Sequence, residues 1–324
     1  MFFNSTKITL VNTMMIGVIM VICSNNWISM WMGLEISLMS FIPLMNSENN
    51  MSSQSMMVYF MVQSVASALF LLSVVFMLIG VNVFNEMVLM TAMLLKMGSA
   101  PFHNWVLVII EPMEYFIMMI LLTIMKIPPL IIMFYSNMET MSVPIMLNFL
   151  ISSVSCINQP SIKKMLVYSS MFNIGILMSS INKLYMMIDY IMIYSVNLIM
   201  LMFILMKMKI KFINQMMFNE FSIWLKINIL INMLSLSGFP PLSGFIMKIM
   251  IMQNLLENKQ MIMLAVMLLT SMIVTMFYMR ITFSSVMMSS TFKKWTMNYS
   301  KSNTFIMWMN FLMVPFLILM INIK

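Results

Sequence analysis

MVLMTAMLLKMGSAPF, residues 87–102, sets Lys96 inside an apolar run and then interrupts the run with Gly98-Ser-Ala-Pro101. A cation at mid-bilayer costs about 2.5–3.5 kcal/mol on insertion scales, so a lysine is rarely left there idly. Two further stretches repeat the theme. FIMMILLTIMKIPPLIIMF (116–134) centres on Lys126, and GFPPLSGFIM (238–247) is followed at once by Lys248. Lys96 and Lys248 lie beside Gly/Pro interruptions, and an acid, Glu35, falls near the middle of WISMWMGLEISLMSFIPLM (27–45). Proline inside a span frees backbone groups that neighbours or cavity water must satisfy. Titratable groups at such breaks are what a proton or ion path needs.

Composition carries the same reading outward. The chain is 62% hydrophobic and 8% charged, with mean hydropathy +0.99, well outside the range of a soluble domain. Apolar runs of about 20 residues, enough to cross a bilayer core, recur from end to end. The fold class expected is an all-α polytopic membrane protein without a hydrophilic domain. No secretory leader is expected, because the first apolar segment continues into a second with no cleavage-site pattern. A net charge of +8 would suggest nucleic acid in a soluble protein. Here loop lysines are explained by membrane orientation, and no nucleic-acid partner is expected.

The 54 methionines exceed anything packing requires. Met, Ile, Asn, Phe and Lys are abundant, Ala is scarce and Arg280 is the only arginine, as in an AT-rich genome that reads AUA as methionine. That is the animal mitochondrial code, and it points to an organelle-encoded inner-membrane protein. Cys23 and Cys156 have no metal-ligand spacing and His103 has no partner histidine. The predicted spans place the cysteines at opposite faces, too far apart for a disulfide. No haem, zinc or iron–sulfur site is indicated.

Hydropathy with breaks at polar clusters predicts eleven spans: 8–23, 27–46, 56–80, 87–110, 114–135, 143–157, 164–182, 188–208, 225–256, 260–285 and 303–323. The ninth is too long for one straight helix and is expected to break at Gly238-Phe-Pro-Pro241 and resume after Gly244. Alternating the spans puts Lys7, Lys163, Lys164, Lys207, Lys209, Lys211, Lys226, Lys293, Lys294 and Lys301 on the side of the N-terminus. Lys183, Lys259 and Lys324 fall on the other. The positive-inside rule then sets the N-terminus on the inner side, the matrix of a mitochondrion, and the C-terminus outside. Span four is fourth in a first unit of five (8–135), and span nine is fourth in a second (143–285), with 303–323 left as a C-terminal helix. Five is odd, so the second unit is inverted. Broken helices at matching positions of inverted units point to transport sites at mid-membrane.

Glu35, Lys96, Lys126 and Lys248 are therefore the candidate proton-translocating residues. A Glu–Lys pair that can separate is a switch, since opening it weakens the lysine's hold on its proton. The alternative is that each group only satisfies another buried polar group or fixes helix packing. His103, near the inner end of span four, is a possible relay and more often a structural residue. Asn173 and Asn197, inside spans seven and eight, would extend a hydrated path or bond between helices. Lys163 and Lys164 read as orientation charges, and Glu111, Glu114 and Asp189 as solvated span ends.

Five motifs in order, Met32-Gly-Leu-Glu-Ile36, Leu95-Lys-Met-Gly-Ser-Ala-Pro-Phe-His103, Met125-Lys-Ile-Pro-Pro129, Asn158-Gln-Pro-Ser-Ile-Lys-Lys-Met165 and Gly238-Phe-Pro-Pro-Leu-Ser-Gly244, resemble the mitochondrial NADH dehydrogenase subunit 2 family. The resemblance covers essentially the whole chain, and the methionine bias suits an insect or similar invertebrate. It implies an antiporter-like subunit in the proton-pumping membrane arm of respiratory complex I, with other membrane-arm and accessory subunits as partners. The family's buried glutamate matches Glu35, its lysine on the first broken helix Lys96, the following central lysine Lys126, and the lysine on the second broken helix Lys248. The glutamate–lysine pair would gate proton movement, and the other lysines would continue a hydrated axis. Met247 stands where related chains often have proline, which bears on the local bend and not on the charge. No cofactor is expected in this chain, since flavin, iron–sulfur clusters and NADH belong to the family's hydrophilic arm, and no Gly-rich dinucleotide loop or cysteine cluster occurs. Matrix-side loop lysines would suit cardiolipin head groups. The alternatives are a mainly structural subunit of the membrane arm and a free-standing cation/proton antiporter, against which the mitochondrial composition argues.

Overall fold

In the computed structural model, residues 5–47, 50–80, 82–136, 141–218 and 223–287 are described. The expected span 303–323 lies outside them, with Lys293, Lys294, Lys301 and Lys324. The described residues form helices joined by short turns: α1 (Ser5–Cys23), α2 (Trp27–Leu44), α3 (Asn50–Ile79), α4 (Asn82–Met97), α5 (Asn104–Ile110), α6 (Tyr115–Leu122), α7 (Ile127–Ser136), α8 (Ser142–Ile157), α9 (Ile162–Ser179), α10 (Leu184–Met208), α11 (Ile213–Phe218), α12 (Ile223–Ser237), α13 (Ser243–Glu257) and α14 (Met261–Met287). Among the described residues, six stretches are long and apolar enough to cross a membrane: α1, α2, Met51–Ile79 in α3, Tyr115–Ser136, α10 and α14. The other four spans predicted there fall on the short α8, on α9, and on the broken pairs α4–α5 and α12–α13. The fold is an all-α polytopic membrane bundle.

Two compact units divide the chain inside α8, the first ending at Asn148 and the second starting at Phe149. Asn148 belongs with the first because its Oδ1 accepts the Ala100 N–H at 2.6 Å, tying α8 to the turn after α4. In this unit α1 is peripheral. It buries Met14, Gly17, Val18 and Val21 at helical spacing against α2 and leaves Ile16 and Ile19 more than half exposed, the apolar outer face expected toward lipid. The crossing is backbone to backbone. A Cβ on Gly17 would lie 2.8 Å from the Gly33 carbonyl oxygen and from the Ser37 nitrogen. Gly33 thereby fixes α2 two residues before Glu35.

Tyr115–Ser136 is the interior stretch of the first unit: 67% of its apolar window is buried, against 22% in α1. The sequence reads it as one span, 114–135, but the structure breaks it. α6 ends at Leu122, a 3-10 turn covers Ile124–Lys126, and α7 starts at Ile127. Pro128 and Pro129 supply the reason, since neither has an N–H to return to the carbonyl four residues earlier. Thr123 Oγ1 donates to the Met119 carbonyl at 2.7 Å, and the turn sets Lys126 at the bend. In the second unit the interior helix is α9, buried at every residue from Met165 to Ser179. The short α11 was not predicted. It follows a backbone clasp in which Ile162 N–H donates to the Lys211 carbonyl and Ile213 N–H to the Pro160 carbonyl, each at 3.1 Å.

Candidate functional site

The two anticipated breaks are built alike. α4 stops at Gly98, whose φ of +65° only glycine adopts without strain. Gly98 N–H donates to the Leu95 carbonyl at 3.2 Å and Ser99 N–H to that of Leu94 at 3.1 Å. α12 stops at Gly238, φ +78°, with Gly238 N–H bonded to the Ser235 carbonyl at 3.2 Å and Phe239 N–H to that of Leu234 at 3.1 Å. This is the same glycine-ended helix cap twice, followed by Pro101 in one case and by Pro240-Pro241 in the other. A helix ended inside an apolar protein leaves its last carbonyls in need of donors.

At the first break Gln63 Nε2 of α3 donates to the Lys96 carbonyl at 3.3 Å. The Lys96 side chain lines a cavity of about 20 Å³ together with Tyr59, Gln63, Trp105 and Lys126. A water needs roughly 10–15 Å³ by the same measure, so the space admits one. Lys96 and Lys126 are both buried, 7% exposed each, and share this cavity though 30 positions apart in sequence. The Trp105 indole N–H, also in its wall, is buried with no hydrogen-bond partner among the described residues. Glu35 acts on Lys96 electrostatically, yet the two are not in ion-pair contact. Glu35 is half-buried rather than enclosed, because it stands off the face of α2 that Leu34, Ser37 and Leu38 turn to the cavity. From the sequence Glu35 is expected buried at mid-span, and it is half-buried there.

His103 lies outside this cavity. It is half-buried at the start of α5, its Nδ1 3.2 Å from the Pro101 carbonyl. The residues missed in the sequence are Tyr59, Gln63, Trp105 and Asn148. A lone glutamine inside the apolar span 56–80 was the available signal for Gln63. Asn148 carried none beyond its polarity.

At the second break Lys248, 3% exposed, donates from Nζ to the Ser237 carbonyl, the last of α12. Its Nζ also sits 5.0 Å from the centroid of the Phe172 ring on α9. A second cavity of about 20 Å³ lies alongside, lined by Asn173, Tyr190, Tyr194, Asn197, Gly244 and Met247 among others. Both candidate asparagines are there: Asn173 Oδ1 accepts from Tyr190 Oη at 2.8 Å, and Asn197 Nδ2 donates to Ser243 Oγ at 3.2 Å. Lys226, expected as a loop lysine, is buried near the start of α12 at 4% exposure and donates to the Ser285 carbonyl of α14 at 3.4 Å. It therefore drops out of the lysines that argue orientation. At the far end of α13, Lys183 Nζ meets Glu257 Oε2 at 2.5 Å. The hydrogen bond to that carboxylate holds the Lys183 ammonium above the ordinary lysine value.

Cys23 is exposed and Cys156 buried, both free. Among the described residues no group of three or more His, Cys, Asp or Glu could hold a metal ion.

The site thus combines helices broken at glycine caps, buried lysines at both breaks and water-sized cavities beside them. Residues 24–275 match the family described as NADH:quinone oxidoreductase/Mrp antiporter, TM. The NADH-ubiquinone oxidoreductase chain 2 of Anopheles gambiae is 32% identical over 302 residues, 89% of this chain and 88% of that one. The chain of the same name from Aedes aegypti is 33% identical over 313 residues, 92% of each. The fold is similar to that of a chain in the structure of respiratory complex I from Thermus thermophilus, with a TM-score of 0.78 at 17% identity, covering 98% of this chain and 78% of that one. The chain belongs to this antiporter family and, within it, to the NADH-ubiquinone oxidoreductase chain 2 group.

Proposed function

We propose that the chain is an antiporter-like subunit of the membrane arm of a mitochondrial NADH:ubiquinone oxidoreductase, and that it moves protons in response to redox chemistry in other subunits. The carrying observation is the cavity shared by Lys96 and Lys126. Where two lysines share buried space, a charge on one disfavours a charge on the other, so their protons are coupled. Glu35, whose field reaches Lys96, is the switch: a shift of α2 strengthens or weakens its hold on the Lys96 charge. Lys126, at a helix bend, relays. Lys248 serves the second unit, where Asn173 and Asn197 border the neighbouring cavity. His103, at the mouth of α5, has an accessory role at most.

The chain would sit as a multi-pass protein in the mitochondrial inner membrane, N-terminus in the matrix and C-terminus in the intermembrane space, among other membrane-arm subunits and phospholipids such as cardiolipin. Its contribution to the reaction is charge movement, with electron carriers held elsewhere. The apolar outer face of α1 supports the membrane setting, the relatives' names support the oxidoreductase, and the bias of the loop lysines supports the orientation.

Membership is tested on a native gel of solubilised mitochondrial membranes, stained for NADH oxidation, with this chain identified by mass spectrometry. Co-migration with the large NADH-oxidising band is expected. Migration as one chain or a small oligomer would instead mark a separate antiporter. Within the assembled complex, Lys126→Met is expected to lower the protons moved per NADH oxidised, and an unchanged number would remove Lys126 from the path.

A further inference from the structure

The Lys248 side chain is held by three groups, of which Phe172 lies far in sequence from the other two. Its Nζ donates to the Ser237 carbonyl and lies 5.0 Å from the centre of the Phe172 ring. Its side chain also fills the space over Gly238, where an added Cβ would stand 2.7 Å from Cδ, 2.8 Å from Cε and 2.9 Å from Nζ. A helix C-terminus carries partial negative charge, and so does the face of an aromatic ring. Phe172 is 1% exposed within the fully buried part of α9 and packs on Phe149 at 5.4 Å between ring centres, so the ring has little freedom to turn away. We infer that Phe172, Gly238 and the Ser237 carbonyl form a docking pocket for the Lys248 ammonium, in which Phe172 is a positioning residue that sets how readily the lysine leaves.

The pocket has a chemical consequence. An amide carbonyl and a phenyl ring can accept a hydrogen bond or face a cation, but neither is a base able to take the proton. A docked Lys248 therefore has no partner to which it can pass its proton. The adjoining cavity differs in kind. Gly244 and Met247, on the same helix as Lys248, form part of its wall. Asn197 Oδ1, also in that wall, is buried with no hydrogen-bond partner among the described residues. An acceptor in a space of about 20 Å³ suits a bound water, and water can receive a proton. When the side chain turns from the pocket to this cavity, the hydrogen bond to Ser237 opens. The N–H bond can then break toward water, leaving its electron pair on Nζ. Docking thus separates a holding position from a releasing one within a single residue. Asn173 follows Phe172 directly on α9, so the ring and the cavity wall belong to the same helical turn.

This inference rests on the proton-moving reading, and the test keeps the two apart. Protons moved per NADH are measured in coupled membranes holding the intact complex, with assembly followed by the NADH-stained native gel. Lys248→Met and Phe172→Met are each expected to lose proton movement, Phe172→Tyr to retain it, and the double variant Phe172→Met/Lys248→Met to be no worse than Lys248→Met alone. Phe172→Leu carries the same expectation should the methionine variant fail to assemble. A Phe172→Met complex with the normal proton number would overturn the pocket. So would a double variant worse than Lys248→Met, or a tyrosine variant as damaged as methionine, because those results describe packing independent of the lysine. If Lys248→Met itself moved the normal number, Lys248 as a proton carrier would fail first and the pocket with it.

Discussion

The two broken helices end in the same cap and part company at one hydrogen bond. Where α4 stops, the loose carbonyl is that of Lys96, and a neutral amide from α3, Gln63, answers it. Where α12 stops, the loose carbonyl is that of Ser237, and Lys248 answers it in person. The identity of the donor decides what each lysine can do. Lys96 has its backbone carbonyl satisfied by a neighbour and lines a cavity shared with a second lysine. Lys248 is committed to its own break, beneath an aromatic ring. A broken membrane helix therefore makes two things at once: a carbonyl that must be paired, and a lysine whose freedom depends on who pairs it.

The comparison breaks most sharply at Gln63. Gln63→Leu keeps the apolar volume of α3 but leaves the Lys96 carbonyl buried without that donor, at a cost of about 1–3 kcal/mol. A lower thermal midpoint of the assembled complex is expected, together with fewer protons moved per NADH. An unchanged midpoint would mean that the first break needs no donor and that the likeness between the two ends at the glycine caps.

A smaller effect is expected at Lys183, whose bridge to Glu257 ties the far end of α13 to the start of α10. Both side chains are partly solvated, 28% and 64% exposed, so the pair is screened and weak. Because the Lys183 ammonium is held above its usual 10.5, its stabilisation is fully present below that pH and is lost as pH rises through the raised value. Lys183→Gln should therefore lower the thermal midpoint slightly at neutral pH and converge with the native chain in strong alkali. A difference that grows with alkalinity would contradict the assignment.

Much of this was readable in the residues. Gly98 and Gly238 with their following prolines announce breaks, because only a few residue types tolerate those backbone angles and none replaces a missing N–H. Membrane-length apolar runs fix the helices, since lipid leaves backbone groups no other partner. The sequence was less informative where tertiary contacts decide. Pro128 and Pro129 were visible, yet in a stretch as apolar as 114–135 a single bent span and two half-helices look alike. Lys226 sat at a predicted span edge, where one helical turn separates a solvated charge from a buried one. Gln63, Trp105 and Phe172 act only through what folds against them, a carbonyl, a cavity and an ammonium. Glu35 was placed in the right helix, but which face of α2 it occupies depends on the Gly17–Gly33 crossing.

The most direct test of the central claim is the number of protons moved per NADH by an assembled complex carrying Lys96→Met, which keeps side-chain length and removes the charge. With NADH oxidation and assembly retained, a clear fall in that number is the predicted result. A normal number from a fully assembled complex would show that the Lys96–Lys126 cavity serves packing and that protons travel elsewhere.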